Sequence, residues 1–171
     1  MIQDPLTLYK LIILYMLDRV SFPLTKSQIG DFILEKEYTD YLTLQQAFYE
    51  LADAGLINAS AVRNRTFLEI TEAGLESLRF FGSRINHGIK KDVNIYLSEH
   101  EYTLRNEVSV AGDYRKTPDG EYEARLTARD RGVKLVDITL SVPAEEIAAS
   151  ICDNWQKKNQ EIYDYLVGQL F

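Results

Sequence analysis

The stretch "LADAGLINASAVRNRTFLEITEAG" (51–74) contains the end of one helix, a short hairpin and the start of another helix. Gly55 follows a run with helical spacing, at the position where a glycine commonly ends a helix. The segments 56–62 and 66–71 are short strand candidates, and the polar "RNR" that joins them predicts a hairpin tip. Thr71 is followed by an acidic residue and is expected to cap the next helix.

Three helices are predicted before this hairpin. The segment "PLTLYKLIILYMLDRV" (5–20) is apolar on two faces, so we expect a buried helix between two partners, and it is too short to span a membrane. Pro23 ends this helix, and Thr25 or Ser27 can cap the second one. The third helix opens at Tyr41, and its predicted inward positions are Leu44, Ala47, Phe48, Leu51 and Ala54.

The order of three helices, hairpin and helix comes with the spacing L-x-x-x-G-L-I, a basic hairpin tip and then I-T-x-x-G. This pattern resembles the winged helix-turn-helix of bacterial regulators, in the broad sense of the MarR-like and PadR-like groups, over residues 5 to about 85. The chain also resembles an uncharacterised bacterial domain of unknown function that has a winged-helix N-terminal half. The first resemblance implies a third helix in the major groove of DNA and a wing on the phosphate backbone.

The second half of the chain changes from a helical period to a period of two. Residues 86–107 have helical spacing, and the alternation that follows predicts three antiparallel strands, with a turn at Pro118, Asp119 and Gly120 and another at Asp130, Arg131 and Gly132. A long final helix has Pro143 in its first turn and an apolar stripe of Ile147, Ile151, Trp155, Ile162 and Leu166.

These patterns predict an α+β fold with two domains. Residues 1–85 form the winged helix-turn-helix, and residues 86–171 form a three-stranded antiparallel sheet packed with two helices. The division rests on the change of period and on Gly88, because no flexible linker separates the halves.

The candidate DNA-contacting residues lie on the third helix and the hairpin tip. Thr, Gln and Tyr side chains contact bases or phosphates, and arginines at a wing tip contact the backbone or the minor groove. The alternative for the tip is that an asparagine makes the turn and two arginines keep the edge soluble. The predicted site residues are Lys26, Thr43, Gln45, Gln46, Tyr49, Arg63, Asn64 and Arg65.

Charge opposes this prediction in part. The chain has a net charge of −7, and phosphate contacts supply most of the non-specific affinity for nucleic acid. Residues 1–90 hold nine Lys and Arg against eleven Asp and Glu, whereas residues 91–171 hold ten against fifteen. The first half is therefore nearly neutral, although its third helix has no Lys or Arg and carries Glu50 and Asp53.

Motifs for catalysis or metal binding are missing from the sequence. His87 and His100 lack the spacing of a zinc-binding helix, and there is no glycine-rich phosphate loop. The single cysteine, Cys152, lies beside an apolar stripe and is expected to be a buried packing residue. We therefore expect no enzyme activity, metal or cofactor. The lack of a basic signal segment and of a spanning helix predicts a cytoplasmic protein without a membrane partner.

The resulting functional hypothesis is a DNA-binding transcriptional regulator. Its partners would be double-stranded DNA and a second copy of the chain. Its second half would dimerise or receive a signal from an effector, and the sequence contains no motif that identifies this effector. The homodimer prediction rests on the two apolar faces of the first helix and on "IYDYLVGQLF" (162–171), which is apolar on more than one side. The alternative is a winged-helix protein-interaction module that does not bind DNA.

Overall fold

The computed structural model describes residues 4–62, 65–130 and 133–171. The chain divides into two compact units, Met1–Arg105 and Asn106–Phe171. Each unit contains one three-stranded antiparallel sheet together with helices. The predicted α+β class is therefore confirmed.

The first unit has the element order of a winged helix. It begins with α1 (Pro5–Asp18), β1 (Leu24–Thr25), α2 (Lys26–Glu35) and α3 (Tyr41–Asp53). It continues with β2 (Ile57–Val62), β3 (Arg65–Ile70), α4 (Glu72–Phe81), a 3-10 turn (Gly82–Arg84) and α5 (His87–Ser109). The strand order is β1-β3-β2, so β2 and β3 form the wing hairpin. The sequence does not predict β1, because two residues form a strand only through pairing with Leu68 and Phe67.

Capping side chains set the ends of these helices. Thr25 caps α2 in a capping box with Gln28, in which each side chain accepts a hydrogen bond from the backbone N–H of the other. Thr71 caps α4, and Gly55 follows α3 with φ of +71°, as the sequence predicts. Ala54 is exposed, and its predicted inward position was wrong because α3 ends at Asp53 and Ala54 is the C-cap residue.

The core of the first unit surrounds α1. Its residues Leu11, Ile12, Ile13, Leu14, Met16 and Leu17 are all buried, so the prediction of a helix covered on both apolar faces is confirmed. The helices α3 and α4 and the strand β3 supply this cover. Because the chain itself buries both faces of α1, this helix gives no reason to expect a second copy.

The helix α5 contributes to the first core. Val93, Leu97 and Leu104 are buried in the same apolar cluster as α1, whereas the sequence places this helix against the sheet of the second half. The first compact unit accordingly extends to Arg105, whereas the sequence places the division after residue 85. An apolar stripe shows that a helix is covered on one side but does not identify what covers it.

The second unit is a sheet covered by a long helix. Its elements after α5 are β4 (Val110–Lys116), β5 (Tyr122–Asp130), β6 (Val133–Val142) and α6 (Glu145–Leu170). The strand order is β4-β5-β6. The turn at Gly120, with φ of +86°, is confirmed, and the predicted turn at Arg131 and Gly132 lies outside the described residues. Leu135 is an extra residue of β6, because the pairing passes from Ala128–Val136 to Arg129–Lys134.

Trp155 is at the centre of the second core. It is 1% exposed, and its Nε1–H donates to the carbonyl oxygen of Thr127 at 3.0 Å. Ala148 and Cys152 complete the buried face of α6, so the cysteine is a packing residue as predicted. Ile147 is 45% exposed and does not belong to that face, and Pro143 precedes the helix because Ala144 is its N-cap residue.

Deprotonation of the Tyr38 phenol should destabilise the first unit at alkaline pH. Its Oη donates to Asp92 Oδ2 at 2.7 Å, and desolvation, together with this hydrogen bond, raises the pKa of Tyr38 from 10.0 to about 12. The folded pKa lies above the unfolded one, so this stabilisation is present below pH 10 and is lost as the pH rises through about 12. In urea unfolding across that range, we expect Tyr38→Phe to remove part of the alkaline loss of unfolding free energy.

The matched control is Tyr165→Phe, at an exposed position of α6. This variant should keep the alkaline loss of the unmodified chain. An identical pH dependence for Tyr38→Phe and the unmodified chain would contradict the role of the hydrogen bond.

Candidate functional site on the third helix and the wing

The N-terminal part of α3 presents uncharged polar side chains. From Tyr41 to Tyr49 the helix contains no Asp, Glu, Lys or Arg. Gln46 and Tyr49 are exposed, and Thr43 and Gln45 are half-buried. In helix-turn-helix proteins that bind DNA, the N-terminal residues of the recognition helix make most contacts with base edges.

The carboxylate of Glu50 is held within the first unit. It forms an ion pair with Lys10 of α1, and its Oε1 accepts a hydrogen bond from Gln46 Nε2 at 3.0 Å. The hydrogen bonds from Lys10 and Gln46 lower the pKa of Glu50, which therefore stays ionised and paired. Gln46 is one of the predicted site residues, and here its amide is directed toward Glu50.

A second carboxylate lies at the start of α3. Asp40 is the N-cap residue, and its Oδ1 accepts a hydrogen bond from the backbone N–H of Thr43 at 2.8 Å. Hydrogen bonds from Thr43 lower the pKa of Asp40. The end of the helix dipole that favours anions is therefore already occupied by a carboxylate.

Two cations of the predicted site lie against aromatic rings. Lys26 Nζ is 5.6 Å from the ring centroid of Phe48 and is thus placed beside α3. The guanidinium of Arg65 is 5.1 Å from the ring centroid of Phe67, and Arg65 begins β3 opposite Val62, the last residue of β2. The other wing residues of the prediction, Arg63 and Asn64, lie outside the described residues.

Sequence reasoning missed two exposed apolar residues on this helix. Tyr41 is 61% exposed and Leu42 is 78% exposed, next to the predicted Tyr49 at 69%. The available signal was that Leu42 lies off the inward stripe of α3. Exposed apolar side chains that cluster on one helix are typical of protein-binding surfaces.

Neither a metal centre nor a membrane-spanning helix occurs in the described parts of the chain. Within residues 4–62, 65–130 and 133–171, no three His, Cys, Asp or Glu side chains are arranged to hold a metal ion. None of the helices in these ranges combines the length and apolar composition that crossing a bilayer requires.

A family model matches most of the chain. The model of DUF4364, a domain of unknown function, matches residues 9–170. No curated protein and no solved structure matches the chain. The match includes nearly the whole sequence, and the chain therefore belongs to the DUF4364 family of domains of unknown function.

Proposed function

We propose that the first unit binds duplex DNA and that the chain is a transcriptional regulator acting in the cytoplasm. The observation that supports this proposal is the low charge of the α3 surface. Its N-terminal part is uncharged and polar, and Glu50 is neutralised by Lys10. This pair leaves the net charge of −7 unchanged, but on α3 it compensates Glu50 and leaves Asp53 in the last turn and the capping Asp40 as the other carboxylates.

The proposal assigns different roles to the helix and to the wing. Gln45, Tyr49 and Thr43 would contact base edges or phosphates in the major groove, because amide and hydroxyl groups do both. Lys26 and Arg65, together with the wing-tip residues, would contact the phosphate backbone. Few cations are involved, so the affinity should be low and its salt dependence shallow compared with strongly basic DNA-binding proteins.

A salt titration with random-sequence duplex DNA tests the proposal. The logarithm of the affinity should fall linearly with the logarithm of the salt concentration, by about 0.9 for each neutralised phosphate. We expect Arg65→Ala to reduce this slope by about 1 and to weaken all sequences equally. The matched control is Arg79→Ala, an exposed arginine of α4, which should leave the slope unchanged. Absence of duplex binding at low salt would overturn the proposal.

Selection from a random duplex library separates the two glutamines of α3. If Gln45 contacts an adenine, Gln45→Ala should change the preference at one or two positions by roughly 1–3 kcal/mol. Gln46→Ala should have the smaller effect, because the Gln46 amide is bound to Glu50. Equal loss on every sequence for Gln45→Ala would assign this residue to positioning instead of sequence reading.

A protein-interaction module is the second candidate. The exposure of Tyr41, Leu42 and Tyr49, together with the lack of Lys and Arg on α3, favours it. Leu42→Ser discriminates between the candidates, because a leucine exposed on a DNA-reading helix contributes little to phosphate contacts. Unchanged duplex affinity of this variant supports DNA binding. If the unmodified chain binds no duplex at any salt concentration, the protein-interaction module is the candidate that remains.

We further propose that the second unit forms a homodimer or receives a signal. Support for the dimer comes from Tyr165, Leu170 and Phe171 at the end of the chain, which are largely exposed. A two-fold axis also suits DNA, because it can present two α3 helices to half-sites about 34 Å apart. Light scattering of the full chain at micromolar concentration tests this directly, since a monomer at that concentration would contradict the dimer.

A further inference from the structure

The strand β6 is an edge of the second sheet. Its partner is β5 on one side, and within the described residues no strand pairs with its other side. The bulge at Leu135 and the side chain of Lys134 occupy its beginning. The remaining residues, Val136–Val142, are a regular seven-residue run without lysine, proline or bulge. Its one charged residue, Asp137, is bound to Arg125 and Lys134, and the run otherwise lacks the usual devices that keep an edge strand from pairing with another chain.

The opposite edge of the sheet differs from β6. The strand β4 contains Arg115 and Lys116, and the carbonyl oxygen of Val110 accepts a hydrogen bond from the side chain of Gln156 of α6. Charged side chains and a covering helix are common protections of a sheet edge. The two edges are thus unequal, and β6 is the one open to pairing.

The face of β6 that lies under α6 is incompletely covered. Ala124 of β5 is fully buried, whereas Leu140, its cross-strand neighbour on β6, is 42% exposed. On α6, Ile147 is 45% exposed. Apolar burial therefore decreases from β5 to β6 at Ile138 and Leu140, whereas Val136 is buried, so the apolar surface left for a further strand to cover lies in the second half of β6.

We propose that β6 pairs antiparallel with β6 of a second copy, centred on Thr139. In this register Ile138 of one copy lies opposite Leu140 of the other, and Val136 lies opposite Val142, so that apolar residues meet on the covered face. On the outer face, Thr139 meets Thr139 and Asp137 meets Ser141. Threonine pairs and matched apolar pairs are favourable across antiparallel strands. The second copy fits because the strand is complementary to itself, as a two-fold interface requires.

Charge also excludes one alternative register. Asp137 Oδ1 and Oδ2 accept hydrogen bonds from Arg125 at 2.9 and 2.7 Å, and Lys134 donates to Oδ2 at 2.8 Å. Hydrogen bonds from Arg125 and Lys134 hold the pKa of Asp137 well below its usual range. A register centred on Asp137 would place two ionised carboxylates opposite each other, which is unfavourable. The register centred on Thr139 opposes no like charges.

The inference deepens the proposed dimer, on which it rests, by placing its seam at the β6 edge and not at the exposed residues at the end of α6. Pairing at β6 joins the two sheets into one six-stranded sheet of order β4-β5-β6-β6-β5-β4. In this arrangement the backbone groups of the open edge gain partners, and Leu140 is covered by the other copy.

Cysteine cross-linking tests the register. Thr139→Cys should form a disulfide between two copies under mild oxidation, because opposite residues of paired strands lie within disulfide reach. Ser141→Cys is the matched control, since the same register separates the two substituted positions by about 14 Å along the strands. The native Cys152 is buried, and the unmodified chain gives the background. Cross-linking of both variants to the same extent, or of neither, would overturn the register.

Charge variants test the interface without cysteines. Thr139→Lys places like charges at the two-fold axis and should weaken the dimer roughly tenfold, and Thr139→Glu should do the same. An equimolar mixture of the two should restore the affinity, because lysine then faces glutamate. A dimer unaffected by either variant overturns the β6 seam and leaves the dimer itself in place. A monomeric unmodified chain overturns both.

Discussion

Trp155→Ala is expected to destabilise the second unit by about 3–5 kcal/mol, which is enough to unfold a core of this size. Trp155 is the largest side chain of its cluster, and the neighbouring buried residues are small, with Ala124, Ala148 and Cys152 among them. These neighbours cannot fill the cavity that the indole would leave. Hydrogen exchange should show loss of protection for the amides of β4, β5 and β6.

The first unit serves as an internal control for this variant, because it has a separate core around α1. Amides of α1 should remain protected in Trp155→Ala. A second comparison is Trp155→Phe, which keeps most of the volume but leaves the carbonyl oxygen of Thr127 without its donor, at a cost of about 1–2 kcal/mol. A loss below about 1 kcal/mol for the alanine variant would show that the cluster repacks around the missing ring.

Gly74→Ala is the second substitution with a large expected effect. An added Cβ would overlap the carbonyl oxygen of Leu56 and lie 2.8 Å from Cγ1 of Ile70. The same carbonyl accepts the N–H of Thr71 at 3.1 Å, so the backbone on both sides is fixed. We expect a loss of about 3 kcal/mol in the unfolding free energy, from overpacking where backbone cannot move aside.

Gly168→Ala is the matched control for Gly74→Ala. Gly168 is also in a helix, and an added Cβ there meets no atom within 4 Å. This substitution should stabilise α6 by roughly 0.5–1 kcal/mol, because alanine loses less backbone entropy than glycine. Thermal unfolding of both variants gives the comparison, and a similar effect of the two substitutions would contradict the close approach at Gly74.

Local signals in the sequence were sufficient for most elements. Thr25 and Thr71 marked helix starts through cap chemistry, and the alternation in 122–142 identified two strands by their period. What failed depended on contacts between distant residues. The strand β1 forms only because it pairs with β3. The apolar stripe of α5 did not show that this helix packs in the core of the first unit. The end of α5 was also placed too early, because the helical spacing was assigned to residues 86–107 and the helix continues to Ser109.

The candidate site shows the same division. The third helix, the wing and their polar residues were identified from spacing and residue type alone. The compensation of charge on this helix could not be predicted from local sequence, because the ion pair of Glu50 with Lys10 joins positions forty residues apart in the chain. A sequence reports that an acidic residue lies on the helix, whereas only the fold shows that its charge is compensated.

The bulge at Leu135 has a consequence for the size that any assembly of this protein reaches. A bulge adds local twist, so the beginning of β6 turns out of line with the run that follows it. Pairing is thereby confined to Val136–Val142, where the proposed two-fold register places apolar residues opposite apolar residues. After two copies have joined there, the outermost strands are both β4, with their arginine and lysine. Growth should therefore stop at a closed pair, without the open-ended fibres that head-to-tail strand addition produces.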